Sequence, residues 1–181
     1  MIYKTVPLLV NMIQAQLSHD TITSASEEAF SLHQKSRWGE KKRAHIEYSS
    51  VEALALIEGK KMTVFQQNKP LSHHALLKKI KRRDKNIETK LTVFADLRKK
   101  GHIVKTALKF GSEFRVYEKG VHPGDDHASW LLFPLREHET LTWYDFAAKN
   151  RVATSTNKKL MLAIVDDESD VTYYEVSWFR P

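Results

Sequence analysis

The chain contains no cysteine. That absence removes disulfide frameworks, thiolate zinc sites, iron–sulfur clusters and thiol nucleophiles together, and it fits an intracellular address. Long apolar runs are lacking too: Val6–Val10 and Leu160–Val165 are typical of the longest, far below the roughly 18–20 residues that cross a bilayer. The opening Met1-Ile2-Tyr3-Lys4 carries none of the charged, apolar and small-residue zones of an export signal, so the sequence predicts a cytoplasmic protein with no membrane partner. Glycine and proline are scarce, six and five in 181 residues, and they punctuate the chain rather than fill it. With 41% hydrophobic residues at this length, a core forms without a metal or disulfide staple.

Positive charge is what the chain has in excess. The formal net charge is +7, and residues 1–85 hold fifteen lysines and arginines against eight acids, whereas residues 86–181 hold fourteen of each. The imbalance predicts two modules with a boundary near residue 85. It peaks at Lys78-Lys79-Ile80-Lys81-Arg82-Arg83-Asp84-Lys85, with Lys41-Lys42-Arg43 as a smaller cluster. Such runs suit a polyanion, because each phosphate neutralised releases counterions; a solvated helix end is the plainer alternative.

In the first module, Ser24-Ala25-Ser26-Glu27 and Ser49-Ser50-Val51-Glu52 read as helix starts, the first helix running to about Lys35 and the second stopping at Gly59. A strand over 61–66, a turn at Asn68-Lys69-Pro70 and a helix opened by Ser72 follow. In the second module, Leu91, Phe94, Ala95 and Leu97 repeat at helical spacing before Arg98-Lys99-Lys100-Gly101. Strand-like segments then occupy 103–108, 113–118 and 130–133, a helix about 142–150, and two last strands 160–165 and 171–179 around Asp166-Asp167-Glu168-Ser169-Asp170. The expected class is α+β or α/β: a small N-terminal α/β domain (1–85) and a C-terminal domain (86–181) with a mixed sheet and two helices.

Glycine-rich phosphate loops, Ser-His-Asp signatures and His-Glu-x-x-His helices are absent. Alternation in Glu113-Phe114-Arg115-Val116-Tyr117 assigns Phe114 and Val116 to the core and turns Tyr117 towards solvent or a cleft. A polar loop follows and delivers His127 to the next strand, while Lys158-Lys159 begins a later one. A tyrosine, a histidine and a lysine suffice for metal-free phosphodiester transfer: a base for the ribose 2′-hydroxyl, an acid for the leaving 5′-oxygen and a cation for the phosphorane. A competing use of the loop is a divalent-cation site from His122, Asp125, Asp126 and His127. The His73-His74 pair is a weaker candidate, since consecutive helical residues diverge.

Phe110-Gly111-Ser112-Glu113-Phe114-Arg115-Val116-Tyr117-Glu118-Lys119-Gly120, Asp126-His127, Arg151-Val152-Ala153, Lys158-Lys159-Leu160 and the ending from Ala163 to Tyr174 together resemble the archaeal tRNA-splicing endonuclease (tRNA-intron lyase) family. The likeness runs from about residue 86 onward and is looser over 36–85. It implies Tyr117 as general base, His127 as general acid and Lys158, rather than Lys159, as the transition-state cation, with no cofactor. It also implies that Arg151 clamps a bulged base by cation–π stacking. Asn157 stands where the resemblance leads one to expect a basic residue. The implied substrate is precursor tRNA with a bulge–helix–bulge, cut to a 2′,3′-cyclic phosphate and a 5′-hydroxyl. The acidic turn of Asp166, Asp167, Glu168 and Asp170 would dock into a basic cleft of another subunit, giving a homotetramer, or a heterotetramer with a structural subunit. The strand 171–179, apolar or aromatic on both faces, is a candidate dimer interface. Two other readings stand beside this one: a non-catalytic RNA-binding subunit, and a metal-dependent nuclease built on the His122–His127 loop.

Overall fold

The computed structural model describes residues 12–107 and 111–177. The chain divides into two compact units between Lys79 and Ile80.

The first unit is built on a six-stranded sheet. In chain order it comprises β1 (Ile13–Ser18), β2 (Thr21–Ser24), α1 (Glu27–Ser36), β3 (Glu40–Lys41), β4 (Ile46–Tyr48), α2 (Ser50–Glu58), β5 (Met62–Gln66) and β6 (Lys69–Leu71). The division falls within α3 (His73–Lys81). The sheet order is β3-β4-β2-β1-β5-β6, and only β1 and β5 run parallel. The second predicted cap forms as spaced, whereas the first helix is capped by Ser26, two residues after the Ser24 that pairs in spacing with Glu27. Ser26 accepts from the Ala29 N–H, and Ser49 makes a reciprocal capping box with Glu52.

Glu52 is 5% exposed, and its other carboxylate oxygen accepts the Gly39 N–H at 2.9 Å. Gly39 sits at φ 68°, where an added Cβ would lie 2.3 Å from Ile46 Cγ2, so the close approach requires glycine. The buried Tyr48 hydroxyl beside it has its pKa pushed well up, first by burial and then by the Glu52 charge.

The sequence reading offers no strand before residue 61, yet β1–β4 form there. These strands are two to six residues long; β1, β2 and β4 interleave apolar with polar side chains, and β3 is only the charged pair Glu40-Lys41. The turn at Ser18-His19-Asp20 uses a non-glycine residue at φ 52°, so neither length nor turn chemistry advertises the hairpin.

The second unit contains α4 (Ile87–Lys99), β7 (Val104–Thr106), β8 (Phe114–Val116), β9 (Trp130–Arg136), α5 (Trp143–Ser155), β10 (Lys159–Val165) and β11 (Val171–Val176). Its sheet order is β11-β10-β9-β8-β7. Every pairing is antiparallel except β9–β10, which are parallel and joined by α5 as a crossover. Together the two sheets are mixed and, among the described residues, accompany five helices, so the fold is α+β, as expected.

One sheet face meets α4, where Phe94 and Phe114 approach to 5.9 Å between ring centres and the Tyr173 hydroxyl donates to Asp96 at 2.6 Å. The other face meets α5 through Ala107, Leu131, Phe133, Ala153 and Leu160. Helix α5 continues five residues beyond the expected end at Asn150. The last strand ends at Val176, and its predicted extension to Phe179 reaches outside the described residues.

Candidate active site

Strand register brings three chain segments to one end of the second sheet. Trp130, the first residue of β9, pairs with Val116, the last of β8, and with Lys159, the first of β10. Ser129 extends this line, donating its N–H to Val116 O at 3.0 Å and accepting from the Lys159 N–H at 2.9 Å. Tyr117 follows Val116, Lys158 precedes Lys159, and His127 lies three residues before Trp130. The three candidates therefore sit at adjacent ends of β8, β9 and β10.

Tyr117 is 4% exposed and packs with Ile103, Ala128 and Val121. Of the two placements expected from alternation, solvent or a cleft, this excludes the first. Phe114 and Val116 do face the core, but β8 ends at Val116, and residues from the following loop close over the ring. Both backbone groups of Tyr117 are held, the N–H by Ile103 O at 2.9 Å and the carbonyl by His102 Nδ1 at 2.8 Å.

His127 is exposed and donates its N–H to the Asp126 carboxylate at 2.6 Å. The next residue, Ala128, lies against Tyr117. The loop that carries His127 is braced by the Val121 N–H to Glu118 O bond, by the Asp125 N–H to His122 O bond and by Ser129 Oγ donating to Glu118.

The two lysines part company. Lys159 lies in the same cross-strand row as Val116 and Trp130, on the α4 face, and its Nζ meets Glu175 at 2.8 Å. Trp130 Nε1 donates to the other Glu175 oxygen at 2.8 Å. These partners, Lys159 first and then Trp130, hold the Glu175 carboxyl below the usual range. Lys158 is half-buried, and continuing the alternation by one residue puts it on the α5 face, as it does Tyr117. Its N–H bonds Ala153 O at the end of α5, and its Nζ donates to Thr156 O at 2.9 Å.

Arg151 is exposed on α5 and lines an open groove of about 530 Å³ with Phe146, Ala147, Asn150, Thr154 and Ser155. The acidic turn lies at the far end of β10. Asp166 is spent on the turn itself, its carboxylate accepting the Asp170 N–H at 2.8 Å, while Asp167, Glu168 and Asp170 are exposed. Among the described residues no three His, Asp or Glu side chains come together as a metal would require. His122, Asp125, Asp126 and His127 thus form no such cluster.

Sequence reasoning missed two features near Tyr117. Lys105, 5% exposed, pairs directly with Arg115, and these two cations occupy Tyr117's side of the sheet. The second feature is the set His102, Trp130 and Glu175, scattered over 74 positions and joined only by folding. No local signal marks either.

Known proteins resemble this chain over most of its length. A family model described as "tRNA intron endonuclease, catalytic C-terminal domain" matches residues 87–173. The chain is 37% identical to a tRNA-splicing endonuclease of Methanothermobacter thermautotrophicus over 93% of its own length and 99% of that relative. For the tRNA-splicing endonuclease of Pyrococcus horikoshii the figures are 40%, 93% and 97%. For that of Nanoarchaeum equitans they are 41%, 72% and 88%. Residues 87–173 therefore form a nuclease-type catalytic unit. The chain belongs to the tRNA intron endonuclease family and is an enzyme of that type.

Proposed function

We propose that the chain cuts precursor tRNA at bulge–helix–bulge sites without a metal, leaving a 2′,3′-cyclic phosphate and a 5′-hydroxyl. The observation that carries the reading is the convergence of Tyr117, His127 and Lys158 on adjacent strand ends, in a chain of this family. Tyr117 takes the proton of the ribose 2′-hydroxyl. The O2′–P bond forms as the P–O5′ bond breaks, and His127 protonates the departing 5′-oxygen. Lys158 offsets the charge on the phosphorane. The pairing of Lys159 with Glu175 supports Lys158 as the cation.

Arg151, exposed beside Phe146 and Asn150, is the residue assigned to grip a bulged base. Residues 86–181 act as the catalytic domain, and the basic 1–85 domain supplies salt-dependent affinity for RNA. Two dimers of the chain assemble into a tetramer through the exposed acids of the 166–170 turn. No described helix is long and apolar enough to cross a membrane, and the enzyme acts in the cytoplasm.

The test is cleavage of a bulge–helix–bulge precursor in excess EDTA, with end-group analysis and a 2′-deoxy residue at the scissile position as control. A cyclic phosphate product, abolished by the deoxy substitution, is the expected result. Activity that vanishes in EDTA and returns with magnesium would transfer the chemistry to a metal site. Tight RNA binding without cleavage in either condition would indicate a binding subunit.

A further inference from the structure

The catalytic assignment requires a tyrosine held in one place, yet Tyr117 stands where its strand stops. Residue 116 is the last of β8, and the ten residues from 118 to 127 form a loop. The Tyr117 N–H is fixed to Ile103 O, but its carbonyl lies at the point where the ladder has ended. The group that meets this carbonyl is a side chain, His102 Nδ1, at 2.8 Å.

A carbonyl oxygen only accepts, so His102 must carry its proton on Nδ1. Its ring is fixed in turn by an edge-on contact with Trp130, 6.1 Å between ring centres at 85°. Trp130 Nε1 is bonded to Glu175, which also holds Lys159. These contacts form one side-chain belt across the end of the sheet, running from β11 through β10 and β9 to the carbonyl of Tyr117.

We infer that His102 is a positioning residue for the cleavage reaction: by donating from Nδ1 to the Tyr117 carbonyl and resting on Trp130, it replaces the strand pairing that ends at Val116 and fixes the tyrosine. The inference rests on the reading of Tyr117 as base. A shift of about 1 Å in a reacting group costs on the order of 100-fold in rate, so a hydrogen bond to its backbone is enough to matter.

Three variants separate the possibilities: His102→Leu removes the donor, His102→Asn keeps an amide donor near the Nδ1 position, and Tyr117→Phe removes the base. Single-turnover cleavage and RNA affinity are measured for each. His102→Leu should slow cleavage about 10-fold or more with RNA affinity within about 2-fold of wild type, and His102→Asn should recover most of that loss. In the wild-type protein, nitrogen NMR of labelled histidine should report the Nδ1-protonated tautomer. A wild-type rate in His102→Leu would overturn the inference. So would an Asn variant as slow as the Leu variant, which would reduce His102 to packing, or an Nε2-protonated tautomer. A wild-type rate in Tyr117→Phe would instead remove the base assignment, and His102's role with it.

Discussion

Lys158 and Lys159 are chemically identical neighbours with different surroundings. Lys159 is bound to Glu175 on the α4 face, whereas Lys158 stands on Tyr117's side near the end of α5. Lys158→Ala should therefore lower single-turnover cleavage by about 100-fold or more, the scale for removing a charge-stabilising group from a reacting centre. Lys159→Ala should stay within about 3-fold, since an exposed ion pair contributes little; equal losses in both variants would erase the distinction. The motif pointed to the first lysine by resemblance, and the Glu175 contact supplies a physical reason. Tyr117 shows the limit of residue-level reading. Period-two alternation placed Phe114 and Val116 correctly but says nothing about what a loop folds back to cover.

At the scale of elements, α4 and β11 are joined by a small polar cluster. Asp96 accepts from the Tyr173 hydroxyl at 2.6 Å and pairs with Lys100 at 2.5 Å. Burial alone would raise the Asp96 pKa, but these two partners outweigh it and leave the carboxyl below its ordinary range. The Tyr173 hydroxyl is pushed well up, by burial first and then by Asp96. A lowered carboxyl stabilises the fold above its unfolded pKa, and that stabilisation is lost as pH falls through the folded value. Asp96→Asn should thus cost about 1–2 kcal/mol near neutral pH, with the gap to wild type narrowing as pH drops below ~4. Urea unfolding at pH 7 and pH 3 measures both, and a gap independent of pH would rule out the carboxylate as its source. The helices were legible in the sequence because caps and 3.6-residue spacing are local. The strands β1–β4 were not, because alternating short segments acquire meaning only when paired.

For the whole molecule, the charge split between residues 1–85 and 86–181 is the feature most visible from sequence and least interpretable without a fold. Basic side chains at Lys78, Lys79, Arg82 and Lys85 are exposed, and so are Asp167, Glu168 and Asp170 at the acidic turn. Exposed charges of opposite sign on one chain suit self-association. Reversing Asp167 and Glu168 to lysine should convert the proposed tetramer to dimers in light scattering while leaving the turn intact, because Asp166 is the residue that builds it. An unchanged tetramer would assign assembly elsewhere. The family was legible as separated motifs, and the same motifs supplied the candidate triad. The His102–Trp130–Glu175 belt was not, since its members meet only through the register of five strands.

With Lys158 and His127 in their proposed roles, the parallel pairing of β9 with β10 should set the order in which a refolding chain regains its activity. The crossover through α5 must close before Lys158 arrives beside the strand end that His127 precedes, and such non-local pairing is slow compared with helix formation. Helical signal should return first in a refolding experiment, and cleavage only once the last central strand has docked.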